Sequence, residues 1–200
     1  MMRIDFEFIN NSPSPEPIEA TKGELLIKIG NTILTKCTYS WGNNEGDIHN
    51  KVIVSAYPLA LWLTISWWRL LFESPPLKPD IYWKMSHVLP SANEGFIWPN
   101  IIFSPVEGED EDVIKISAYP VYSNEGIQYI NGLNSYSVSR HELETLFEGF
   151  IRKVISHIKT KGLNNTPLEY LWKEVQEARY DDLLGLFRKE EAKRKMNINR

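Results

Sequence analysis

From Val52 to Trp68 the chain carries no charged side chain, and Arg69 follows at once. A run of that kind must be buried on several sides or lie in a bilayer, and a spanning helix needs about 18–20 apolar residues. This run falls short and holds Ser55, Pro58, Thr64 and Ser66. The better reading is a buried strand end at 52–54 feeding a buried helix over 57–72. Ser55 is the expected cap, and Pro58 is tolerated in the first turn. Ser66, Arg69 and Glu73 recur at i, i+3 and i+7, which leaves one narrow polar seam on an otherwise apolar helix. Ser74-Pro75-Pro76 stops it.

The segments before this helix read as strands. Ile4, Phe6 and Phe8 alternate with Asp5 and Glu7, the period of a half-buried strand. Pro13, Pro15 and Pro17 at alternate positions favour an extended loop, since each lacks a donor and restrains its predecessor. The β-rich runs 24–29 and 32–39 flank Gly30-Asn31, a pair that tolerates positive φ, so a tight hairpin is expected.

After the central helix, a short helix over 80–88 is expected to end before Pro90. Runs 97–104 and 113–122 then enclose the acidic stretch Glu107-Gly108-Glu109-Asp110-Glu111-Asp112. This is a second hairpin with a solvated tip, with Ile114, Ile116 and Ala118 alternating against Lys115 and Ser117. A short strand is expected over 127–130.

From Ser139 onward the pattern is helical. Ser139-Arg140-His141-Glu142 is a capping box, and Val138 with Leu143 has the spacing of a hydrophobic staple. An apolar stripe from Leu143 to Ile158 runs to Gly162, the expected stop. Thr166-Pro167 opens another helix with Leu168, Leu171, Trp172 and Val175 on its core face. A last helix with Leu183, Leu184, Leu186 and Phe187 passes into the charged stretch 188–195.

Strands first and helices last predict an α+β class: antiparallel hairpins on a buried tryptophan-rich helix, with a C-terminal helical segment. Residues 1–163 form the α+β domain, and 164–200 are a helical extension of the same domain. Two hundred residues, 42% of them hydrophobic and 24% charged, suffice for such a core. The net charge of −4 provides no global field for nucleic acid. The single cysteine, Cys37, points to a reducing compartment, and the N-terminus lacks the apolar run of a signal peptide. The expected location is the cytoplasm.

The sequence contains no dinucleotide-binding glycine motif, no phosphate-binding glycine-lysine loop and no nucleophile elbow. His141-Glu142 lacks the second histidine of a zinc-peptidase helix, since position 145 is Thr145, and Glu142 is explained as a cap. Cys37 reads as a small buried hydrophobe. The basic groups of 188–195 are interleaved with Glu190 and Glu191, as in a solvated helix end. Neither a cofactor nor a metal is expected.

One constellation stands apart. Trp67, Trp68 and Arg69, then Trp83 and His87, then Glu94 and Trp98 could line a stacking pocket for a base or other planar ligand. The favoured alternative is a packed aromatic core.

The same segments carry a resemblance. Ser66-Trp67-Trp68-Arg69-Leu70-Leu71-Phe72-Glu73, Trp83-Lys84-Met85-Ser86-His87 and Gly95-Phe96-Ile97-Trp98-Pro99 resemble the region that precedes an ImmA/IrrE-type zinc peptidase domain in a group of bacterial proteins. Ile127-Gln128-Tyr129-Ile130-Asn131 and Leu171-Trp172-Lys173-Glu174-Val175 fit the same pattern, so the likeness spans roughly 52–188. The peptidase motif H-E-x-x-H is absent from this sequence, so peptidase activity does not carry over. The resemblance implies a non-catalytic sensing or protein-interaction module of a prokaryotic regulatory or defence system. Its expected partner is a protein, with nucleic acid less favoured and no membrane. The alternative is a small-ligand- or nucleotide-binding domain, with or without enzymatic activity, built on the aromatic pocket around Arg69 and His87.

Overall fold

The alternation at the N-terminus becomes strand β1 (Met2–Phe8) in a computed structural model that describes residues 1–9, 16–39, 46–72, 87–88, 100–105, 113–120, 127–164 and 166–180. A one-turn helix α1 (Pro17–Ala20) leads into β2 (Lys22–Ile29), which pairs antiparallel with all of β1, from Met2↔Ile29 to Phe8↔Gly23. Gly30, at φ 57°, makes the expected turn into β3 (Thr32–Ile33).

The run 32–39 is not one strand. Leu34 N donates back to Ile27 O at 2.8 Å, and the buried Thr35 hydroxyl accepts from Ile27 N and donates to Asn50 O. These local bonds turn the chain before β4 (Cys37–Tyr39). Strand β5 (Ile48–His49) pairs with β4, and β6 (Val52–Ser55) returns to β2. Because β3 and β6 pair with the two halves of one side of β2, β1 is one edge of this sheet among the described residues.

Helix α2 (Ala56–Phe72) follows without a break. Ala56, Leu59, Ala60, Leu63 and Trp67 are all almost wholly buried, with Tyr57 close behind. Ser55 does not cap the helix as expected. Its hydroxyl donates to Ile18 O at 2.7 Å, and the α2 N-terminus is satisfied by Thr21 instead: Tyr57 N donates to Thr21 Oγ1 at 3.1 Å and Ala56 N to Thr21 O at 2.9 Å.

The short helix expected over 80–88 is corrected at its end. Residues 87–88 are strand β7 (His87–Val88), paired with β8 (Asn100–Pro105), while 80–86 lie outside the described residues. Strand β8 pairs with β9 (Val113–Tyr119), in which Ile114, Ile116 and Ala118 are buried as their alternation predicts. The acidic tip lies outside the described residues. Strand β10 (Ile127–Tyr129) crosses to pair with β4.

Strand β11 (Leu133–Ser139), which the sequence did not announce, pairs with β9 and completes the third sheet in the order β11-β9-β8-β7. Only Val138 of β11 is buried, so the strand has almost no apolar alternation to read. It runs directly into α3 (Arg140–Thr160), where the capping box forms and Val138 and Leu143 are both buried. Gly162, at φ 79°, ends α3, and Thr166 opens α4 (Pro167–Tyr180).

Helix α2 packs against both α3 and α4. The rings of Trp67 from α2 and Phe103 from β8 each meet Phe147 of α3 edge-on, with centroids 6.0 and 5.3 Å away. The architecture is α+β, with antiparallel sheets packed on helices. Among the described residues no helix is long and apolar enough to cross a membrane.

Candidate functional site

Trp67 belongs to the core: it is 1% exposed and its ring edge meets Phe147. Trp68 and Arg69 lie on α2 and His87 on β7. Trp83 and Trp98 lie outside the described residues, as do 73–86 and 89–99 generally.

A different row of reactive groups crosses the small sheet β10-β4-β5. Tyr129 stands opposite Cys37, which stands opposite His49, so the three side chains share one face. Cys37 is fully buried, and burial pushes its thiol up, away from the thiolate a nucleophile needs. Burial likewise raises Tyr129 well above the ordinary phenol range and raises Tyr39. The Tyr39 ring meets His49 edge-on at 5.1 Å, and His49 Nε2 is buried with no hydrogen-bond partner among the described residues. Burial thus favours the neutral thiol of Cys37 and the neutral phenols of Tyr39 and Tyr129. Among the described residues no group of three or more metal-binding side chains gathers.

An open site among the described residues lies elsewhere, between β1 and α3. A cleft of about 550 Å³ is bounded by Met1, Met2 and Ile4 on one wall and by the exposed side of α3 on the other. Its apolar floor comes from Val138, Leu143, Leu146 and Phe150, and its polar groups are at the ends. At one end, Glu142 is held in the capping box: Glu142 N donates to Ser139 Oγ at 3.1 Å, and Ser139 N donates to Glu142 Oε2 at 3.3 Å. At the other end, Lys153 Nζ donates to the Phe6 carbonyl and lies 5.8 Å from the centre of the Phe8 ring.

Two features shape the cleft. Gly149 lies on the α3 wall, and a Cβ placed there would meet nothing within 4 Å. Helix α3 also runs alongside β1, reaching its outer edge through Lys153 at the Phe6 carbonyl. Gly30 N donates to Met1 O and Ile9 N to Lys22 O, so the odd-numbered residues of β1 carry the ladder to β2. Met2, Ile4, Phe6 and Phe8 therefore turn their N–H and C=O groups toward the cleft side. No ladder among the described residues pairs with that side of β1.

Beyond Lys153 the wall is sealed by His157. Its ring stacks on Phe8 with centroids 3.6 Å apart and planes 1° apart, and Nε2 lies 3.1 Å from the Ala20 carbonyl. A carbonyl can only accept, so Nε2 carries the proton. Burial, with Lys161 and Lys153 nearby, holds the His157 pKa below its ordinary value.

Sequence reasoning missed this cleft. Most of its residues come from β1 and α3, which were each read correctly, with Val138 from the unannounced β11, but their juxtaposition has no local signature. The one hint was Gly149, an exposed glycine inside an otherwise strong helix pattern. No protein-family model, no curated protein and no solved structure matches this chain.

Proposed function

We propose that the chain is a non-catalytic sensing or protein-interaction module of a prokaryotic regulatory or defence system, acting in the cytoplasm through a protein partner. The observation that carries this reading is the cleft between β1 and α3. It is apolar along its floor, charged only at its ends and bordered by β1, whose outer main-chain groups no strand among the described residues pairs and a small hydrophobic molecule would leave unpaired. The likeness of residues 52–188 to the region preceding an ImmA/IrrE-type peptidase domain supports the same reading, because such a region works beside a catalytic unit and not as one.

The test is affinity capture. The tagged full chain, expressed at native level and purified after nuclease treatment, is expected to bring down a protein in fixed stoichiometry. Recovery of the chain as a monodisperse monomer with no companion would overturn the proposal. Capture that disappears with nuclease and weakens steeply with salt would replace it with a nucleic-acid partner.

A further inference from the structure

Resting on the interaction reading above, we infer that the partner binds by strand addition: an extended segment pairs with the free edge of β1 and lies under α3, with an acidic residue at its Lys153 end. The wall opposite α3 is formed by Met1, Met2 and Ile4, at the strand whose outer edge pairs with no described strand. Ile4, at its centre, directs its N–H and C=O away from β2, and no strand among the described residues takes them. The complement of donors and acceptors repeating every second residue is another extended backbone.

The dimensions agree. From Glu142 to Lys153 helix α3 rises about 16 Å, which an extended segment of about five residues would span. The apolar floor of Leu146 and Phe150 would take the side chains that point inward from alternate positions.

Charge sets the polarity. The Lys153 end has Lys161 one helical stretch beyond it and no carboxylate in the cleft lining, whereas the other end carries the Glu142 carboxylate together with the Met1 amino terminus, which donates to the Tyr136 hydroxyl. Lys153 already donates to the Phe6 carbonyl, which closes the edge to further pairing there and leaves its remaining N–H groups for an incoming carboxylate. The segment therefore ends its pairing near Phe6, and an acidic side chain there meets the ammonium.

The test uses a displayed library of random twelve-residue peptides selected on the full chain. Enriched peptides are expected to alternate apolar residues and to carry Asp or Glu at one end of the apolar run. In complex with such a peptide, hydrogen exchange at the Ile4 amide should slow at least tenfold. The variant Gly149→Leu fills the cleft from the helix side at a position where a Cβ has room. It should weaken peptide binding at least tenfold, yet its melting temperature should hold or rise, because glycine is the poorest helix former after proline. N-methylation of the central peptide residues should weaken binding similarly.

Failure to enrich any peptide, equal binding to Gly149→Leu, or binding without protection of Ile4 would each overturn the inference. Oleate binding that Gly149→Leu blocks, with no peptide enriched, would assign the cleft to a small apolar ligand instead. A lysate partner captured equally by the wild type and Gly149→Leu would overturn strand addition while leaving the interaction reading intact.

Discussion

Gly23 faces Phe8 across the β1–β2 ladder, and a Cβ there would stand 2.2 Å from the Glu7 carbonyl oxygen and 2.4 Å from the Phe6 ring. The backbone oxygen cannot yield as a side-chain tip could. Gly23→Ala should therefore destabilise the fold by about 1–3 kcal/mol, as overpacking of a tight site does, measured by urea denaturation. In the sequence this glycine looks like a mere strand boundary, because the Phe6 ring that covers it arrives from 17 positions away. His157 makes a second prediction at this scale. Its folded pKa lies below the unfolded value of about 6.5, so the neutral ring is the form the fold prefers. Its contribution is complete above the unfolded value and is lost as pH falls toward the folded one, since the unfolded chain takes up the proton first. The groups facing it are Phe8 from β1, the Ala20 carbonyl from α1, and Lys153 and Lys161 from its own helix and its end. Thermal melts from pH 8 to 5 should show the wild type losing stability below about 6.5, and His157→Gln should show a shallower slope. Equal slopes would remove His157 from the account.

At the scale of elements, the two main helices start in physically different ways, and only one start is visible locally. Ser139 and Glu142 lie three apart on the same chain segment, so the α3 cap can be read from four letters, and it forms as read. The α2 cap is Thr21, 35 positions before the helix, and Ser55 beside the helix is drawn to Ile18 and Thr21 instead. Thr21 is fully buried, and its hydroxyl accepts from Tyr57 N, donates to Pro17 O at 2.7 Å and sits 2.8 Å from Ser55 Oγ. Thr21→Val keeps the shape but leaves the Tyr57 N–H without that acceptor, so it should cost about 1–3 kcal/mol, the penalty of an unsatisfied buried group. A loss below 0.5 kcal/mol in chemical denaturation would show that another group caps α2. The same contrast explains β1 and β9 against β11. The first two have a regular apolar alternation that names their faces, whereas Leu133–Ser139 is a strand only because β9 pairs with it.

For the whole molecule, the question is whether α4 belongs to the core or is merely attached to it. Leu168, Trp172 and Val175 are each less than a tenth exposed, and α4 packs chiefly on α2. The Tyr57 hydroxyl reaches the Leu168 backbone and the Thr166 side chain, Lys159 pairs with Glu169 at 2.7 Å, and the Arg152 guanidinium lies 5.9 Å from the Trp172 ring centre. The surface pairs contribute little. Burying Leu168, Trp172 and Val175 is worth about 1.5–3 kcal/mol per side chain, a sum comparable with the whole stability of a domain of this size. A chain ending at Asn164 would bare the α2 face that these side chains cover. It should therefore lose most of its cooperative unfolding, and tryptophan fluorescence and far-UV circular dichroism should cease to report one common midpoint. A truncated chain that melts in one transition within 5 °C of the full chain would make α4 an appendage. The α4 apolar spacing was legible in the sequence, but its seat was not, because α2 is apolar on nearly every side and its own pattern does not say which neighbour takes which face. The same ambiguity concealed the cleft. A strand edge and a helix wall form this cleft only when sheet order leaves β1 outermost among the described strands, and that order is fixed by pairings between residues far apart in the chain.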